Sequence, residues 1–209
     1  MRPSINIHIA NSTGKLDNLL DRINPAFYEA KKTVEKELKA NQIDVVFIYS
    51  PFPQAEMGGV SGSSRGPNLV LMWINSDFNI SHEELYLTLL HEIHHCIRQR
   101  TYKYGVNLGE TIVYEGLATL YEEEHGGNKP VYAKAKIKKS EINKAVKNFK
   151  NEKYSQSEWF FGSSNITKWF GYTFGYNLCE AYSKKVGKKA AELVDIDPSL
   201  IIGYYSQTN

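Results

Sequence analysis

The chain has 209 residues, 42% of them hydrophobic and 23% charged, with a formal net charge of +2 at pH 7. That length suits one domain able to bury a core without covalent staples, and so small a charge points to neither nucleic acid nor a membrane surface. Two cysteines, Cys96 and Cys179, do not make a disulfide framework in a chain this long and read as free thiols of a reducing compartment. The first residues, Met1 to Ile5, run straight into an alternating pattern without an apolar segment of signal-peptide length. No stretch approaches the apolar length of a membrane span. The expectation is a soluble, cytoplasmic, single-domain protein over residues 1–209, with no nucleic-acid or membrane partner; nothing in the sequence addresses its oligomeric state.

Residues 5–10 alternate apolar and polar, as a half-buried strand does. Residues 16–39 carry a helical pattern, with an interruption or restart expected at Asn24-Pro25. Residues 43–49 are β-branched and aromatic, a second strand. Residues 51–67, punctuated by Pro51, Pro53, Gly58, Gly59, Gly62, Gly66 and Pro67, read as a loop. Residues 68–74 read as a third strand.

Ser81-His82-Glu83-Glu84 has the form of a capping box, with Ile80 and Leu85 at the positions of a hydrophobic staple, so a helix is predicted from there to about Arg98. Asn107 with Glu110 starts another, which should stop at His125-Gly126-Gly127, where glycine supplies the left-handed end. Residues 134–153 hold eight lysines around a sparse apolar stripe of Ile142, Val146 and Phe149, a solvated face. An aromatic-rich stretch from Trp159 to Tyr176 leads into a helix through about Lys185, then a short helix near 188–194 and a tail. Strands mixed with helices followed by helices alone read as α+β, one small sheet with a mostly helical C-terminal half.

His91-Glu92-Ile93-His94-His95 matches H-E-x-x-H. Residues four apart project from one helix face, so His91 and His95 can grip one zinc ion while Glu92 holds the water at the open metal position. His91 with His94 is a rival pair, but the spacing of four keeps the smaller angular offset. A catalytic zinc takes three protein ligands and a water. The long H-E-x-x-H-x-x-G-x-x-H form fails, since Arg98 and Thr101 occupy its last glycine and histidine positions. An acidic ligand on a later helix remains: Glu110, Glu115, Glu122, Glu123 or Glu124. Glu115 lies mid-helix among apolar and small neighbours, where a carboxylate is costly unless paired or metal-bound. Glu110 is better explained as the capping partner of Asn107, and Glu122 to Glu124 as a solvated run. Gly116 and Ala118 would let this helix approach the preceding one closely.

On these pieces the chain resembles the gluzincin group of zinc peptidases and, more closely, a bacterial family of predicted zinc-dependent proteases. HEIHH at 91–95, YEGLA at 114–118, WFGYTFGY at 169–176 and GGVSG at 58–62 carry the resemblance, over roughly residues 43–209. It implies a zincin-like fold, zinc held by His91, His95 and Glu115, and Glu92 as general base. Gluzincins often place an acidic residue four after the ligand glutamate; Thr119 stands there in this chain.

The chemistry so implied is hydrolysis of a peptide or protein substrate by a Glu92-activated water. Tyr172 and Tyr176, four apart, share a helical face; they are either a core stripe or a source of one oxyanion donor. Gly171 and Gly175 form a stripe beside them. The strand at 69–74 is a candidate edge for strand addition by a peptide. Cys96, next to a candidate ligand, points elsewhere on the helix and reads as a buried thiol. The rivals are a catalytically inactive metal-binding or interaction module on the same fold, and hydrolysis of a non-peptide amide.

Overall fold

A computed structural model describes residues 4–52 and 58–208. Met1 to Pro3, residues 53–57 with Pro53 of the expected loop, and Asn209 lie outside the described residues. The chain divides into two compact units, Met1–Arg100 and Thr101–Asn209.

The first unit contains β1 (Ile5–Ala10), α1 (Leu20–Glu37), β2 (Ile43–Tyr49), β3 (Val60–Ser64), β4 (Leu69–Ile74) and α2 (His82–Arg98). Its sheet is mixed, in the order β1-β2-β4-β3. β1, β2 and β4 run parallel, with Ile5 opposite Ile43 and Val45 opposite Val70, and β3 pairs antiparallel to β4. The three expected strands form where the alternation placed them. Val45, Phe47, Val70, Met72 and Ile74 are fully buried because period two puts them on one face of neighbouring strands.

Three expectations are corrected. The stretch read as a loop contains a fourth strand, β3, whose Gly and Ser residues hide it from a pattern based on apolar alternation. The strand at 69–74 is interior, and among the described residues β3 and β1 are the two ends of the sheet. The helix does not restart at Pro25: α1 runs on from a 3-10 turn at Asp17–Leu19 and carries Pro25 inside it. Ile23, Ala26, Phe27, Ala30 and Val34 make one buried face on both sides of that proline, and this burial holds the helix through the lost hydrogen bond. α1 packs on α2, and α2 on β3 and β4.

The second unit contains α3 (Leu108–Gly126), α4 (Lys139–Lys147), α5 (Phe170–Val186) and α6 (Pro198–Thr208), with 3-10 turns at Val131–Ala133 and Ala190–Leu193 and a π-helical turn at Ser157–Phe161. The expected tail is helix α6, opened by Asp197, whose side chain accepts from the Ser199 amide at 2.8 Å, and by Pro198 at its first position. α3 crosses α5 at two glycines. A Cβ on Gly116 would lie 2.3 Å from the Gly175 backbone, and one on Gly175 2.2 Å from the Ile112 carbonyl oxygen. Gly116 thus serves the crossing with α5, where the sequence suggested the preceding helix. No helix among the described residues is long and apolar enough to cross a membrane.

Candidate metal centre

α2 begins on a closed capping box. The Ser81 hydroxyl oxygen accepts from the Glu84 amide at 3.1 Å, and the Glu84 carboxylate accepts from the Ser81 amide at 2.7 Å. This fixes where the helix starts, and so which face each later residue occupies. Three turns on, His91 and His95 stand one above the other, their rings 4.6 Å apart and perpendicular. Both are buried, at 7% and 4% exposure. Burial, and after it the Glu92 carboxylate, pushes the Cys96 thiol up to about 12, and Cys96 donates to the Leu69 carbonyl at 3.7 Å. A thiol so biased toward its protonated form is a core group.

Glu92 turns toward β3. Its Oε2 accepts from the Ser64 backbone amide at 2.7 Å. Gly62 makes the room: a Cβ there would lie 2.3 Å from Glu92 Cγ. The register explains why the Ser64 amide is available. Arg65 donates to Leu69, and Asn75 to Gly59, across the β3–β4 pair. Odd-numbered residues of β3 therefore bond β4 while even-numbered ones present their backbone groups outward. The Ser64 hydroxyl oxygen in turn accepts from Gln99 Nε2 at 2.7 Å.

Glu115, 7% exposed, sits mid-way along α3. Tyr104 donates a hydrogen bond to its carboxylate, and burial together with that negative charge pushes the Tyr104 phenol well above its ordinary value. The Gln156 side-chain amide donates to the Tyr104 hydroxyl oxygen. Tyr154, whose hydroxyl is 2.6 Å from that of Thr111, is raised mainly by burial and also feels the Glu115 charge. Thr119 donates to the Glu115 backbone carbonyl at 2.8 Å. The Asn107 side-chain oxygen caps α3 by accepting from the Glu110 amide at 2.9 Å, and the Glu110 carboxylate accepts from Asn107 Nδ2 at 2.7 Å.

One candidate ligand atom from each of His91, His95 and Glu115 lies within 4.8 Å of the other two, and all three residues are buried. Ligands at about 2.0–2.2 Å from a common zinc ion stand roughly 3–4 Å apart. The donor set is chemically apt, since two imidazoles with a carboxylate is an established catalytic zinc set. This group contains His95 and not His94, in keeping with the spacing of four.

Residues 24–203 match a family model described as "Predicted Zn-dependent protease (DUF2268)". The chain belongs to this family. No curated protein and no solved structure matches it. The family match runs from within α1 to within α6, and so includes every candidate ligand and the candidate base.

In this family member the two candidate tyrosines differ in surroundings. Tyr176 is buried, donates to Glu180 at 3.0 Å and lies under the Lys129 ammonium group, 4.1 Å from the ring centre. Burial, then the Glu180 bond, raises its phenol. Tyr172 is half-buried and packs its ring on Tyr132 and Phe160, each at 5.1 Å. The acidic run is not solvated throughout: Glu122 is buried and accepts from the Tyr132 hydroxyl, and Glu124 accepts from the Ala190 amide at 3.1 Å. Tyr104 and Ser64 carry no local signal of a role at this site. Gln99 alone leaves a faint trace, seven residues after Glu92 and so on its helix face.

Proposed function

We propose that this protein is a zincin-like, gluzincin-type zinc peptidase, with His91, His95 and Glu115 holding the metal and Glu92 as general base. The observation that carries this reading is the buried His91–His95–Glu115 ligand set, with Glu92 adjacent on α2 and its carboxylate oriented by the Ser64 amide. Bound there, zinc would supply an acidified water and a Lewis acid for a carbonyl oxygen.

The chain's own groups do the rest. Glu92, held at Oε2, receives the water's proton at its other carboxylate oxygen and delivers it to the departing amine. Tyr104 donates to Glu115 and so restricts its rotation. Tyr172 and Tyr176 are the two candidates for an oxyanion donor, and the Tyr176 hydroxyl donates to Glu180. The outward backbone groups of β3, an end strand, suit an extended peptide added alongside Gly62. An oriented base favours an active enzyme over an inactive metal module, which needs none.

The test combines bound metal per chain with hydrolysis of labelled casein. Wild type should carry about one zinc, Glu115→Ala should retain it far more weakly, and Glu92→Gln should keep zinc while losing about 10²- to 10⁴-fold in turnover. Full casein hydrolysis by Glu92→Gln, or a wild type that takes up no zinc, would end this reading.

A further inference from the structure

Two side chains on one face of α2 reach the same residue of β3. Glu92 and Gln99 are seven apart, two helical turns. Glu92 accepts from the Ser64 amide at 2.7 Å, and Gln99 donates to the Ser64 hydroxyl oxygen, also at 2.7 Å. Gln99 is itself anchored at the helix end, its backbone amide bonded to the His95 carbonyl at 2.9 Å. Its reach toward β3 therefore starts from a fixed point. Gly62, two residues before Ser64 on the same side of the strand, leaves room for the Glu92 stem.

We infer that Gln99 and Ser64 are positioning residues, a strap that fixes the β3 backbone so that the Ser64 amide aims the Glu92 carboxylate. The inference rests on Glu92 being the base. A glutamate on a helix has several rotamers of similar energy, and a general base works only within hydrogen-bond reach of its proton. A charge-assisted bond from a backbone amide selects one of them. The amide, though, is only as well placed as the edge strand carrying it. Ser64 lies at the last position of β3, and the Gln99 bond ties that end down.

The position allows a clean deletion of the donor. The Ser64 amide lies outside the ladder with β4, and proline is tolerated on an edge strand where its missing N–H faces outward. Ser64→Pro removes both amide and hydroxyl, Ser64→Ala only the hydroxyl, and Ser64→Thr keeps both. On zinc-loaded full chain with labelled casein, Gln99→Leu and Ser64→Ala should each lower kcat about tenfold, with KM and zinc content unchanged. The double variant should be no worse than either single, since both cut one link. Ser64→Pro should lower kcat by about 100-fold, and Ser64→Thr should match wild type.

A second readout needs no turnover. The Ser64 amide proton of wild type should resonate downfield under the carboxylate, and Glu92→Gln should shift it upfield. An amide signal indifferent to Glu92→Gln overturns the strap, as does a folded Ser64→Pro with wild-type kcat, or a double variant whose losses multiply. An inert wild type with a responsive amide would sink the hydrolase reading alone and support the strap.

Discussion

α2 and α3 both carry candidate ligands, and they hold their places by different means. α2 is specified from its own first turn: Ser81 and Glu84 close on each other, and the spacing of His91, Glu92 and His95 follows from the start they set. α3 also has a cap, Asn107 with Glu110, but its middle is fixed by packing. Gly116 meets the Gly175 backbone, and nearly every residue from Leu108 to Glu122 is buried. A ligand pair four apart on one helix needs only a correct register. A lone carboxylate on another helix needs that helix placed to within an ångström, which only tertiary contact supplies.

The α3–α5 crossing offers the largest break in this comparison. Gly116→Ala puts a methyl 2.3 Å from Gly175 backbone atoms, which cannot swing aside as a side chain can. Overpacking of this kind costs about 1–3 kcal/mol, or roughly 2–12 °C in Tm for a chain of this size. Metal retention should weaken with it, because Glu115 is the adjacent residue. A Tm within a degree of wild type would mean that the two helices separate freely and that the crossing does not place Glu115.

Glu141 comes next, because it joins local and tertiary roles in one side chain. It is 5% exposed, accepts from the Lys138 amide at α4's start at 2.7 Å, and accepts from the Thr167 amide and hydroxyl at 2.7 and 2.8 Å. Burial opposes its ionisation, but those hydrogen bonds outweigh burial and hold its pKa below the ordinary value of 4.5. The stability so gained is full above that ordinary value and is lost as pH falls through the lower, folded value. Glu141→Gln should therefore cost about 1–2 kcal/mol at pH 6, and its Tm gap to wild type should narrow as the pH is lowered below about 4. Thermal melts of the metal-free chains across that range check it; a gap that widens in acid would reverse the assignment.

The same contrast sorts what the sequence made legible. β1, β2, β4 and α2 stood out because local alternation, caps and a spaced motif all agreed, and the candidate ligands His91 and His95 came with them. Glu115 was legible through burial cost, a carboxylate among Ile112, Val113 and Gly116. β3 was not, because an edge strand of Ser and Gly has no apolar face to announce it; its pairing with β4 decides it. Glu122 and Glu124 looked solvated because a run of three glutamates ordinarily is, and their partners Tyr132 and Ala190 arrive from later turns. Ser64, Gln99 and Tyr104 were illegible for one reason: each acts through a bond to a residue made near only by the fold.

The smallest effect sharpens the comparison most. If α2 is set by its own first turn, Ser81→Ala leaves the Glu84 amide without its cap and should cost about 1 kcal/mol, roughly 2–4 °C in Tm. Ser81→Gly should cost only a few tenths of that, since glycine at this position lets water reach the amide. Zinc content should be unchanged in both, because the Ser64–Glu92 and Gln99–Ser64 bonds hold the far end of the helix. Thermal melts on the two variants read this directly. An alanine variant as stable as wild type would shift the credit: α2 would owe its register to β3 and not to its cap, and both ligand helices would then be placed by tertiary contact.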